Sequence, residues 1–225
     1  MIYDLITFFN KYHFYEITAK LLDIISLKSG IKYQLEETKI SLFKKDYKKV
    51  IKITNEIISH DKTQADAYIL CGDAYYYQSN LYDSEEAYVK AVRYRPTQLN
   101  HYMLYRLGMT YIKRKSWEDA AVVLKKLIKE SYGFAWSYLG LAYTRLEQYD
   151  KAEEALNQAN LLDIDNPDNW GYLTLFCLLT DRKPQALECL NELRKATYDD
   201  TGILAEIANL FYKNYGNNTF IIICR

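Results

Sequence analysis

A segment of about 34 residues recurs along this chain. "DAYILCGDAYYYQSNLYDSEEAYVKAVRYRP", "YRLGMTYIKRKSWEDAAVVLKKL", "WSYLGLAYTRLEQYDKAEEALNQA" and "NWGYLTLFCLLTDRKPQALECLNEL" align as units that begin near residues 65, 101, 133 and 167. With slots counted from the first residue of each unit, slot 8 holds Gly72, Gly108, Gly140 and Thr174, and slot 11 holds Tyr75, Tyr111, Tyr143 and Cys177. Slot 20 holds Ser84, Ala120, Ala152 and Ala186, and slot 24 holds Tyr88, Leu124, Leu156 and Leu190. Three of the eight glycines share one slot, although glycine inside a helix costs about 1 kcal/mol relative to alanine. Such a cost persists only where packing demands it.

Each unit reads as two amphipathic helices joined by a short turn. Slots 4, 7, 8 and 11 form one apolar stripe, and slots 20, 24 and 27 form the stripe that faces it. The glycine at slot 8 is expected opposite the small residue at slot 20, where the two backbones can approach closely. Large side chains at slots 4, 11 and 24 then fill the surrounding space, each contributing ~1.5–3 kcal/mol on burial. Trp136, Leu139, Gly140, Tyr143, Ala152, Leu156 and Ala159 follow a spacing that resembles the tetratricopeptide repeat. The resemblance implies an all-α, right-handed superhelix, an α-solenoid of antiparallel helix pairs with a concave groove.

The expected solenoid spans residues 1–216. Its clear repeats are 65–100, 101–132, 133–166 and 167–200, and degenerate pairs occupy 1–30 and 31–64. Pro96 takes the usual closing slot, and Pro167 opens a first helix. A capping helix over 201–216, begun near Asp200 or Thr201 and stopped by Gly216, covers the last pair. Residues 217–225 form a tail.

Twenty-nine basic and 29 acidic residues give a formal net charge of +0, without the basic excess of a nucleic-acid or anionic-membrane surface. The longest apolar run near the end, "FIIIC", is too short for a membrane span, and the start lacks the basic n-region of a secretory signal. A soluble intracellular chain is expected. His13, His60 and His101 form no metal motif, and no two of Cys71, Cys177, Cys189 and Cys224 make a C-x-x-C pair. No Gly-rich phosphate loop is present. No catalytic, cofactor-binding or metal-ligating residue is therefore expected, nor a small-molecule substrate, and the role is not enzymatic.

In such superhelices, slots 2, 5, 9, 12 and 13 of the first helices line the concave wall. The expected partner-binding groove is Ile69, Asp73, Tyr76 and Tyr77 from one unit, and Tyr105, Met109 and Ile112 from the next. Phe134, Ser137 and Leu141 follow, then Leu175, Leu178 and Leu179. Slots 5 and 9 of the first two units hold Ile69 and Asp73, then Tyr105 and Met109, so the Lys/Arg clamp of chaperone-tail receptors is absent.

"AEEALNQANLLD", "NPDNWGYLTL" and "ILAEI" carry non-core residues that resemble the C-terminal end of a ciliary family, that of cilia- and flagella-associated protein seventy. This resemblance implies a non-catalytic scaffold of the motile ciliary axoneme, contributing to beating by gripping helical or extended segments of other proteins. The alternative is a general cytosolic tetratricopeptide adaptor for trafficking or complex assembly. Localisation is accordingly expected at the axoneme and cytoskeleton, or otherwise in the cytoplasm.

Overall fold

A computed structural model describes residues 14–24, 30–95, 101–129 and 133–215. His13, Pro96, Gly216, Cys224 and the 217–225 tail lie outside them, as do residues 1–13 and 25–29 of the first degenerate pair. The described residues hold twelve α-helices and no strand. The chain divides into two compact units, Met1–Arg114 and Lys115–Arg225.

The first unit contains α1 (Tyr15–Ile24), α2 (Ile31–Phe43), α3 (Tyr47–His60), α4 (Ala65–Tyr77), α5 (Leu81–Tyr94) and α6 (His101–Arg114). Each helix packs on the next, and α4 also touches α2 and α6. The second unit contains α7 (Trp117–Lys129), α8 (Ala135–Arg145), α9 (Tyr149–Leu162), α10 (Pro167–Leu179), α11 (Lys183–Leu193) and α12 (Thr201–Tyr215). There α7 packs on α8, α8 on α9, α9 on α10 and α10 on α11, while α10 also contacts α8 and α12. Stacking of sequence neighbours, with first helices touching one another, is the solenoid principle.

The facing stripe is the spine of both units. Val50, Thr54 and Ile57 are buried in α3, and Ser84, Tyr88 and Ala91 in α5. Ala120, Leu124 and Leu127 occupy the same slots in α7, Ala152, Leu156 and Ala159 in α9, and Ala186, Leu190 and Leu193 in α11, all buried. At Gly72 and Gly140 the atoms nearest an added Cβ come from slot 24. A Cβ built on Gly140 would lie 2.5 and 2.6 Å from Leu156 Cγ and Cδ2, and one on Gly72 would lie 2.9–3.0 Å from the Tyr88 ring. The expected slot-20 neighbour meets the glycine backbone in the unit at residue 65, where Ser84 Oγ donates to the Gly72 carbonyl at 3.0 Å. The large residue one turn further on leans back over the glycine, because helical side chains point toward their own N-terminus.

The turns inside the helix pairs share one device. Lys45, Ser79, Lys115, Glu147 and Asp181 all adopt left-handed φ values of 57–60°, each at slot 15. Asp46 N donates to Ser41 O at 2.9 Å and Lys45 N to Leu42 O at 2.9 Å; Gln148 N–Tyr143 O and Glu147 N–Thr144 O repeat the pattern at 3.0 and 3.2 Å. These paired bonds are the Schellman motif, which satisfies carbonyls that the helix end leaves open. None of the five positions is glycine, so each turn carries a backbone cost of ~1–2 kcal/mol, set against two hydrogen bonds at Lys45, Ser79, Glu147 and Asp181.

Between helices of the second unit, arginine forks add directional links. Arg145 of α8 grips both oxygens of Glu206 in α12 at 2.5 and 2.6 Å, and Arg182 grips Glu153 of α9. Tyr138 of α8 donates to Asp168 of α10 at 3.0 Å. Asp200 Oδ1 accepts from Ile203 N at 3.0 Å and satisfies the start of α12.

Candidate functional site

Asp73 breaks the apolar rule of α4. It sits at slot 9 with 2 % exposure, and an isolated carboxylate at that depth costs several kcal/mol. The neighbouring helices supply its partners. From α5, the Tyr88 hydroxyl donates to Oδ1 at 2.5 Å; from α6, Tyr102 donates to Oδ2 at 2.9 Å and Arg106 Nε to Oδ1 at 2.9 Å. Burial pushes the Asp73 carboxyl up, against the opposing pull of the Arg106 charge and these hydrogen bonds. Burial and the Asp73 carboxylate together raise the Tyr88 and Tyr102 phenols far above their usual range.

The rest of the guanidinium is held by ring faces. Arg106 Cζ lies 4.1 Å from the Tyr76 centroid and 4.9 Å from that of Tyr77. Its Nη2 is buried without a hydrogen-bond partner among the described residues. Lys113 Nζ stands 4.0 Å from the Tyr76 ring, and burial, then the Arg106 charge, lowers its pKa.

Beside this assembly the first unit opens a pocket of about 570 Å³, within the range of specific ligand sites. Its rings are Tyr15, Phe43, Tyr47, Tyr77 and Tyr102, and Leu42, Ile69 and Leu70 complete the apolar wall. Two stacked pairs line it: Tyr15 on Phe43 at 4.4 Å and Tyr47 on Tyr77 at 5.7 Å between centroids. Lys39, Lys45 and Asp73 are its charged residues. Lys39 is paired with Glu36 at 2.8 Å, and Asp73 is neutralised by Arg106. Lys45 reaches the pocket from the left-handed position of the α2–α3 turn, where Asp46, the next residue, accepts from Lys49 N and starts α3.

Four of the thirteen expected groove residues therefore belong to or border this pocket. Ile69, Asp73 and Tyr77 line it, and Tyr76 holds Arg106 behind Tyr77. Tyr105, Met109 and Ile112 are half-buried on α6 and do not line it. In the second unit the expected wall is largely interior. Ser137, Leu141, Leu175 and Leu178 are buried, and only Phe134 and Leu179 are exposed. The reason is direct packing of first helices: α8 lies on α10 and α10 on α12, so faces assigned to solvent meet a neighbour instead. Ser137 Oγ is turned back onto the Phe134 carbonyl at 2.9 Å.

What the sequence reading missed lies mainly upstream. The wall slots 9, 12 and 13 of the unit that starts at residue 31 are Lys39, Leu42 and Phe43, and all three line the pocket. The same frame, carried one unit further back, finds them. Arg106 sits at slot 6 and Tyr102 at slot 2 of their unit, and both are committed to Asp73.

Other chemistry is sparse. Cys71 and Cys177 are buried, as their core slots suggest, and Cys189 is half-buried. Among the described residues no group of three or more His, Cys, Asp and Glu is placed to hold a metal, and no helix is long and apolar enough to cross a membrane.

Comparison with solved structures gives the fold. MamA (residues 41 to end) from Desulfovibrio magneticus RS-1 superposes with a TM-score of 0.67 at 22% identity, over 73% of this chain and 93% of that one. YrrB, described as a TPR protein with an unusual peptide-binding site, superposes with a TM-score of 0.66 at 16% identity, over 80% and 93%. The architecture is a tetratricopeptide-repeat solenoid. Among curated proteins, human cilia- and flagella-associated protein 70 is 28% identical over 191 residues, 84% of this chain and 17% of its own length. Its Macaca fascicularis counterpart is 35% identical over 122 residues, 53% and 12%. The chain thus spans less than a fifth of the curated relatives it matches. Residues 33–218 match the family described as cilia and flagella-associated protein 70 C-terminal domain. By a match that runs through both compact units and most of the sequence, this chain belongs to that family.

Proposed function

We propose that the chain is a non-catalytic, protein-binding scaffold of the motile ciliary axoneme, with the aromatic pocket of the first unit as its docking point. The carrying observation is that pocket: five rings from five helices, two of them, Tyr77 and Tyr102, held by the buried Asp73–Arg106 pair. Its chemistry suits a side chain of another protein. Among the described residues that line it there is no acid–base or nucleophile–base constellation. Family membership supports the ciliary setting, and YrrB supports peptide capture as a use of this fold.

Expression of the tagged chain in a ciliated cell, followed by detergent and salt extraction of isolated cilia, tests the placement. Retention in the axonemal pellet is expected. Recovery in the cell-body cytosol alone overturns the axonemal reading and leaves the cytosolic adaptor.

A further inference from the structure

We propose that the pocket of the first unit takes an acidic protein segment bearing an aromatic anchor: the ring enters the cavity, and flanking carboxylates meet the lysines of the α2–α3 turn. The proposal rests on the protein-binding reading above and names the chemistry of the partner.

Charge complementarity identifies the occupant. In a chain of zero net charge, residues 39–52, "KISLFKKDYKKVIK", hold six lysines against Asp46 as the only acid. Lys39 is spoken for by Glu36 and Lys49 by Glu37, at 2.8 Å each. Lys44, Lys45 and Lys48 are exposed and have no ion pair among the described residues. Asp73, the acid inside the pocket, has both oxygens occupied and its charge cancelled by Arg106. Lys45 lines the pocket, with Lys44 next to it in the turn, so this side of the pocket is positive while its interior is neutral and aromatic. A basic partner meets unpaired lysines, whereas an acidic one supplies what they lack.

The walls select the anchor. Stacked Tyr15–Phe43 and Tyr47–Tyr77 present ring faces and edges, which suit a further aromatic side chain. Stacked rings beside lysines also suit single-stranded nucleic acid. The balanced overall charge, without an extended basic track, favours the peptide.

The test is fluorescence anisotropy with the full chain and labelled synthetic peptides. The probe places one Phe among Glu and Asp; its controls replace Phe with Ser, or every acid with its amide, and a labelled oligothymidylate serves as the nucleic-acid arm. The acidic aromatic peptide is expected to bind, with a loss of at least about tenfold for each control, and to weaken as salt rises from 50 to 300 mM, roughly the range over which exposed charges become screened. Lys44→Glu/Lys45→Glu, at two exposed turn positions, should cost about tenfold in affinity at an unchanged melting temperature. Tyr77→Ala should weaken the Phe peptide and leave the Ser control where it was.

Equal binding of the amide peptide overturns the acidic partner and leaves protein capture standing. Preferred binding of the oligothymidylate, or no binding by any probe to a folded chain, overturns the proposal outright. Axonemal retention, measured separately, is untouched by either result.

Discussion

Gly140→Ala is the sharpest probe of how the helix pairs nest. The added methyl lands 2.5 and 2.6 Å from Leu156 Cγ and Cδ2, at least about 0.8 Å inside ordinary contact, with the Leu156 backbone N 3.3 Å away. Leu156 is fully buried, so its side chain has nowhere to retreat. Overpacking of this kind costs ~1–3 kcal/mol, and the gain in helix propensity returns about 1 kcal/mol. The net loss should be about 1 kcal/mol, or roughly 2–4 °C for a chain of this size. All three tryptophans, Trp117, Trp136 and Trp170, lie in the second unit, so urea unfolding followed by tryptophan fluorescence reports on the unit that contains the contact.

The decisive measurement repeats the change in a Leu156→Ala background. That truncation alone costs about 2–5 kcal/mol and removes the atoms the methyl would strike. With them gone, Gly140→Ala should become stabilising by about 1 kcal/mol, through propensity alone. The sign therefore reverses, and the coupling between the two sites is about 2 kcal/mol, a value typical of residues in contact. A methyl that stabilises both backgrounds equally would show that slot 8 is glycine for some reason other than the Leu156 contact.

Three further outcomes follow from named contacts. Arg106→Met should destabilise the first unit by about 3–5 kcal/mol, because it strands a buried carboxylate; Asp73→Asn added to it should recover most of that loss, since the amide oxygen still accepts from Tyr88 and Tyr102, as far-UV circular dichroism in urea can check. Glu147→Gly should stabilise the second unit by about 0.5–1 kcal/mol, by removing the left-handed strain at φ 57°, and a lower urea midpoint would count against that assignment. Burial, with Asp200 adding to it, raises the Asp168 pKa; a raised folded pKa means that the ionised form is disfavoured and stability falls as pH climbs through the carboxylate range. Asp168→Asn keeps an acceptor for Tyr138, so its melting temperature should exceed that of the parent at pH 7, and the difference should close on acidification.

The repeat made the helix pairs legible because period and glycine placement are local, while the stack follows from them. The turns were less legible. Lys45, Ser79, Lys115, Glu147 and Asp181 adopt the conformation for which glycine is the usual signal, and no glycine marks them. The groove was legible only in part, since slot number says which way a side chain leaves its helix but not whether another first helix lies there. Leu141 and Leu175 hold wall slots and are buried, whereas Tyr77 holds one and faces the pocket. Degeneracy hid the other half: the unit at residue 31 has no glycine at slot 8, so its wall residues Lys39, Leu42 and Phe43 stood outside the clear repeats.

The departures from the repeat explain one another. Slot 24 is leucine in the three clear repeats from residue 101 onward and Tyr88 in the unit that begins at residue 65. That is the unit with aspartate at slot 9, and the tyrosine hydroxyl reaches the aspartate oxygen that a leucine cannot satisfy. The longer ring in turn presses on slot 8, which has to remain glycine there. Arg106 balances the charge, and Tyr102 takes the remaining oxygen. Two of the rings fixed by this network, Tyr102 and Tyr77, are walls of the pocket. An apolar set at slots 9 and 24 would pack as well as it does in the later repeats and would leave both rings free to turn. Natural chains break their own local rules mainly where a site needs it, and here the broken slots and the pocket share their side chains.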